Sequence, residues 1–158
     1  MSIRRVNPAH AAEAFAASER LGEEAKTAAL AAGLDLRAIE LIRLRCSQLN
    51  GCAMCLKAHT AAALAAGETV ERIGVLTAWR ETRYFSDVER ACLELAEAVT
   101  LVAQRHLDDD GYTALAAVLA PEQISAATWV AIAINDSNRI WIHADRPVHP
   151  PREQPSGS

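Results

Sequence analysis

Apolar residues recur along this chain at steps of three and four, punctuated by glycines, prolines and short polar caps. That period reads as helix almost from end to end. Pro8 opens a first helix predicted over Ala9 to Ala32, with Gly22 as a point of interruption and Gly33 as a left-handed stop. Asp35 is placed to cap a second helix reaching about Leu49, whose stripe is Ile39, Ile42, Cys46 and Leu49. Asn50-Gly51 breaks it, and a third helix is expected from Cys52 to Ala66, stopping at Gly67. Thr69 to Arg83 continues in helical period through Val70, Ile73, Leu76 and Trp79 or Arg80. Ser86 and Glu89 form an S-x-x-E capping box ahead of the stripe Val88, Cys92, Leu95, Val99, Val102. Asp108 to Asp110 open a short helix ending near Ala120, and Pro121 begins a long, mostly apolar one reaching about His143. No strand pattern or repeat competes, so the fold class is all-α. The organisation is a single helical domain over residues 1–145, with a tail over 146–158 whose Pro, Gly and Ser content reads as disorder.

Composition narrows the picture further. Hydrophobic residues make up 51% of the 158 positions and aromatics only 4%, with Ala dominant, which favours closely packed helices. A net charge of -4 offers no basic field for nucleic acid or anionic lipid. Glu13, Glu19, Glu23 and Glu24 interrupt any secretory leader, and the longest apolar run, Ile124 to Ile134, is too short to span a bilayer. The chain therefore reads as soluble and cytoplasmic, with no membrane and no nucleic-acid partner. Four cysteines are too few for a secreted disulfide scaffold.

The chemistry concentrates in Asn50-Gly-Cys-Ala-Met-Cys-Leu-Lys-Ala-His59. Cys52, Cys55 and His59 are spaced by three and four residues, so a helix puts them on one face. Gly51 lets the backbone turn so that both cysteines fall near a helix N-terminus, where unpaired N–H groups stabilise thiolate. His59 is placed to take a thiol proton, and a second thiol three residues away can close a disulfide on a sulfenic acid. Glu40 would complete a relay. It precedes the Asn50-Gly51 break by about 10 residues and His59 follows it by about 8, so an antiparallel hairpin sets both roughly 12–15 Å from the turn.

Other readings stand beside this one. A structural zinc site would use the same cysteines, but it wants four ligands and the second pair is missing. Haem attachment needs a histidine where Leu56 stands, and a thioredoxin-type dithiol needs a βαβ setting. His59 alone could be a satisfied core or surface histidine, and Glu40 could pair with Arg37 or Arg43, each three residues away. Cys46 and Cys92 fall in step with apolar stripes and read as inert core thiols. His10, His106, His143 and His149 have no partner in the pattern. Asn135, Asp136, Asn138 and Arg139 interrupt the apolar last helix as a buried polar junction or an interface.

The run from Glu40 to His59 fits E-x-x-x-L-R-x-S-x-x-N-x-C-x-x-C-x-x-x-H throughout. It resembles the core motif of the AhpD-like alkylhydroperoxidases, within the carboxymuconolactone decarboxylase family. The resemblance extends through Trp79-Arg-Glu, Phe85-Ser-Asp-Val-Glu-Arg-Ala and Asn135-x-x-Asn138-Arg139, roughly Leu34 to Ile142. It implies an AhpD-like helical bundle with the C-x-x-C at the N-terminal end of a central helix, assembled as a trimer or hexamer. It also implies a thiol peroxidase that reduces organic hydroperoxides without a cofactor or metal. Cys55 would be the peroxidatic thiol and Cys52 the resolving one, with His59 relaying a proton from Cys55 toward Glu40 through water. The electron donor would be an external dithiol, such as a dihydrolipoyl protein. One position departs: Met54 stands where the best-studied peroxidases carry a second histidine, so the resemblance does not carry their full rate across. The alternative is a non-enzymatic, oligomeric dithiol module that senses redox state or binds a partner through the same disulfide.

Overall fold

The computed structural model describes residues 6–144 and 146–150, and among them every regular element is helical. Asn7 caps a 3-10 turn over Pro8–Ala11 that leads into α1 (Ala12–Ala31). Then follow α2 (Leu36–Asn50), α3 (Ala53–Ala65), α4 (Val70–Val75), α5 (Asp87–Thr100), α6 (Asp109–Ala116) and α7 (Pro121–Ala144). The predicted caps are in place: Asp35 accepts the Ala38 N–H, Asp108 accepts the Gly111 N–H, and Ser86 with Glu89 makes both bonds of the capping box.

Two expectations change. The first helix is not interrupted at Gly22; α1 runs straight through it, held by packing along α7 rather than by local propensity. A single helix over Thr69 to Arg83 is also not what forms. α4 ends at Val75, a 3-10 segment spans Leu76–Glu81, and Ala78 takes non-helical angles. Val70, Ile73, Gly74 and Val75 are weak helix formers. The break also lets Trp79 point inward, where its Nε1 donates to buried Glu97 at 2.9 Å.

α2 carries apolar residues on two faces and so packs into two cores. Ile39, Ile42 and Cys46 join the main core with Cys92 and Leu95 of α5 and with Val130, Ala131 and Ile134 of α7. Leu41 and Leu44 face a second, smaller core with Ala63, Leu76, Trp79, Phe85 and Leu93. Small residues let the helices approach closely; Ala29, Ala63 and Ala131 are fully buried. Glu97 ties α2, the 3-10 segment and α5 together, accepting from Arg45 and Arg80 at 2.7 Å each as well as from Trp79. Burial alone would raise its carboxyl; the hydrogen bonds from Trp79, Arg80 and Arg45 outweigh that and hold it below the usual carboxylate range.

Among the described residues no single helix is long and apolar enough to cross a membrane. Of the tail read as disordered, residues 151–158 lie outside the described part, and 146–150 take no regular secondary structure.

Gly22 offers a direct stability test. It sits inside α1 without a positive φ, and a Cβ built there meets nothing within 4 Å. Gly22→Ala should therefore stabilise the fold by about 0.5–1 kcal/mol, by helix propensity and reduced unfolded-state freedom. Urea unfolding monitored by circular dichroism should show the higher midpoint with an unchanged slope.

Candidate active site

The turn between α2 and α3 sets the geometry. Gly51 closes α2 in the left-handed region (φ 69°), which a residue with a Cβ adopts only under strain. The Cys52 N–H then returns to the Ser47 carbonyl at 3.1 Å, and the chain reverses at once into α3. Cys52 becomes the N-cap of α3: its Sγ accepts the Cys55 N–H at 3.3 Å. The two cysteines are joined as a disulfide, their Cα atoms 5.4 Å apart. Both are buried.

The hairpin brings Glu40 and His59 to the same height, and they meet. His59 Nδ1 lies 2.7 Å from Glu40 Oε2, while Arg43 Nη1 donates to Glu40 Oε1 at 2.8 Å. The two sequence-level readings of Glu40, relay partner and ion pair, therefore coexist on its two oxygens; Arg37 turns instead to Asp35. Burial would push the Glu40 carboxyl up. The hydrogen bond from His59 and the charge of Arg43 together outweigh that and hold it below the usual carboxylate range. An ionised carboxylate only accepts, so Nδ1 is the donor of this pair and Nε2 points away from it. The structure thus brings the four candidate residues together as two joined pairs, Cys52 with Cys55 and Glu40 with His59. One turn of α3, from Cys55 to His59, connects the pairs.

A polar network anchors the turn from behind. Asn50 Nδ2 donates to Oδ1 of both Asn135 and Asn138, at 2.9 and 2.8 Å. Asn138, fully buried, donates to the Ser47 hydroxyl at 3.0 Å, and Asn135 donates to Thr100 and to the Ala131 carbonyl. Arg139 returns to Asn135 Oδ1 at 3.0 Å. Asn135 and Asn138 are thus the buried polar junction that the sequence left open against an interface, with Arg139 capping it from the exposed side. Asp136 departs from it and accepts from Ser18 of α1. Asn50→Ala should cost about 1–3 kcal/mol, because Asn138 Oδ1 loses its donor inside the core. Chemical denaturation of the reduced protein measures it.

Periodicity gives no sign of a cavity of about 370 Å³ beside this pair, walled by His59, Arg43 and Gly22 and by Ala133, Ile134 and Ser137 of α7. Cys46 and Cys92 are buried away from it, and burial pushes their thiols up to about 11 and about 12, so they stay protonated. Among the described residues no group of three or more His, Cys, Asp or Glu side chains is placed to hold a metal ion.

Residues 12–98 match the model of the carboxymuconolactone decarboxylase family. The uncharacterized protein YdfG of Bacillus subtilis (strain 168) is 41% identical over 103 residues, which covers 65% of this chain and 70% of YdfG. The crystal structure of ATU0492 from Agrobacterium tumefaciens aligns with a TM-score of 0.79 at 35% identity, over 93% of this chain and all of that one. ATU0492 is described as a protein of unknown function and a candidate antioxidant-defence protein AhpD.

Proposed function

The chain belongs to the carboxymuconolactone decarboxylase family, with an AhpD-like fold, and from that premise we propose that it is a thiol peroxidase reducing organic hydroperoxides. One observation carries the reading: a C-x-x-C disulfide at a helix N-terminus, with a carboxylate-held histidine one turn beyond it.

In the reduced enzyme His59 Nε2 takes the Cys55 proton, directly or through one water, while Glu40 stabilises the imidazolium that forms. The Cys55 thiolate attacks the distal peroxide oxygen: an S–O bond forms, the O–O bond breaks, and the leaving alkoxide takes the proton from His59 to become an alcohol. Cys52 then displaces the sulfenic hydroxyl, forming the disulfide and releasing water. An external dithiol, of which a dihydrolipoyl protein is one, exchanges with that disulfide and is itself oxidised. The two steps at sulfur need nothing beyond peroxide and dithiol. Exposed Trp129, Ile132 and Ile142 on α7 support assembly as a homo-oligomer, for which the family resemblance implies a trimer or hexamer.

Intact mass after one equivalent of tert-butyl hydroperoxide is the test. The reduced chain should lose two hydrogens, a dithiol should restore them, and neither Cys→Ser variant should show the loss. A reduced chain left unchanged by peroxide would defeat the proposal. Burial of both sulfurs favours a second reading, the redox-sensing dithiol module, if oxidation proves slow and alters partner binding instead.

A further inference from the structure

α1 lies across the open side of the Glu40–His59 pair and is pinned there at two points. Arg43 Nη2 donates to the Gly22 carbonyl at 3.2 Å, and the Ser18 hydroxyl donates to Asp136 of α7. The cavity of about 370 Å³ lies between these helices. Its inner wall includes His59, one turn from Cys55, and Ala133 and Ile134, which belong to the same core as Cys55. Its outer rim carries Glu19 and Glu23, both exposed.

We propose that this cavity is the route to Cys55, and that it admits compact, uncharged hydroperoxides while turning away those that carry a carboxylate. The inference rests on the thiol-peroxidase reading for its substrate. Cys55 is only 4% exposed and does not itself line the cavity, so a reagent must reach it through an opening in the packing, and this one is lined by His59, one turn away. The volume is at the small end for a ligand site. Charge supplies the discrimination. Arg43, the cation on the wall, is already committed to Glu40 and the Gly22 carbonyl, and its charge is matched by Glu40. Glu19 and Glu23 then add two negative charges at the mouth, offset in part by Lys26, 3.9 Å from Glu23. Exposed charges are screened, so the effect is modest and falls with salt. Ser137 leaves a hydroxyl group on the wall to meet a neutral peroxide, and Ser18, its proton given to Asp136, leaves an acceptor oxygen.

Alkylation of Cys55 tests the route without any peroxide. In reduced Cys52→Ser protein the Cys55 thiolate displaces iodide from neutral iodoacetamide or from anionic iodoacetate. The amide-to-acetate rate ratio should exceed that of N-acetylcysteine by about threefold at low salt, the size expected for exposed charges. It should fall toward the free-thiol ratio in Glu19→Gln/Glu23→Gln, and also at about 0.5 M salt, where the Debye length is short. Gly22→Leu, whose added Cβ meets no atom within 4 Å, should fill the cavity and slow both reagents severalfold. A free-thiol ratio that the double variant leaves unchanged, or Gly22→Leu with undiminished rates, would overturn the proposal. Failure to turn over peroxide would instead defeat the thiol-peroxidase reading and the hydroperoxide substrate with it, leaving the charge-selective route to Cys55 standing.

Discussion

Cys55→Ser should abolish hydroperoxide consumption, lowering kcat/KM by at least about 10³-fold, because the proposed nucleophile is the Cys55 thiolate and a serine hydroxyl is not ionised at neutral pH. Cys52→Ser should behave differently. It should consume one equivalent of peroxide and stop, holding a sulfenic acid on Cys55 that dimedone traps as a mass adduct. The contrast has a structural basis, since two signals on α3 compete for the attacking role. The helix N-terminus favours Cys52, whose Sγ accepts the Cys55 N–H as N-cap. The base favours Cys55, which precedes His59 by one turn. A helix terminus is worth about 0.3–2 kcal/mol, and Cys55 shares in it within the first turn. A positioned base contributes about 10²–10⁴-fold, so the base decides. The cap survives the comparison, since serine is a strong N-cap and can accept the Cys55 N–H in place of the Cys52 sulfur. Turnover by Cys55→Ser within tenfold of wild type would reverse the assignment and leave the N-cap thiol as the attacker.

How far the sequence carries this site depends on the range of the interaction. Gly51, Cys52, Cys55 and His59 are local, so their placement follows from one left-handed turn and a helical period. Glu40 is 19 residues from His59, yet it was legible because a tight hairpin converts sequence distance from the turn into height. Arg43 was read only as a rival for Glu40; that a carboxylate has two oxygens, and room for both partners, is a fact of three dimensions. Ser47 and Asn50 stand in the motif without a stated role, and Asn135 and Asn138 meet them only because α7 packs back on the turn from 85 or more residues away. The cavity is less legible still, since α1 contributes a wall through Gly22 and Ser18, residues with no chemical signature. The two elements that differ do so for opposite reasons. At Gly22 packing along α7 overrides a weak local signal and the helix continues, whereas over Thr69 to Arg83 weak helix formers and the inward turn of Trp79 break a helical period.

Glu40→Gln should be the most informative single change outside the cysteines, because it alters charge and hydrogen-bonding sense while keeping shape. Glu40 accepts from Arg43 on one oxygen and from His59 on the other. Glutamine offers one acceptor and one donor, so one of the two cations or N–H groups must face an amide N–H. If the amide donates to His59, Nδ1 becomes the acceptor, the ring proton moves to Nε2, and the base proposed for Cys55 is lost. If it faces Arg43, a largely buried guanidinium loses its partner. Either way peroxidase kcat/KM should fall by about 10²–10³-fold, with Cys55 still open to slow alkylation. Stability should fall by about 3 kcal/mol at neutral pH, as for one partner of a buried pair removed. The pH dependence fixes the cause. Glu40 has a folded-state pKa below its ordinary value of 4.5, so its contribution is fully present above that value and is lost as pH falls through the lower, folded one. Urea unfolding of wild type and Glu40→Gln should therefore differ most near neutral pH and converge in acid, below the folded pKa. Glu97, held low by its own partners, keeps destabilising both proteins there equally. A stability difference that stays constant from neutral pH into that acid range would mean that glutamine costs packing rather than charge, and that Glu40 is not the ionised partner the relay requires.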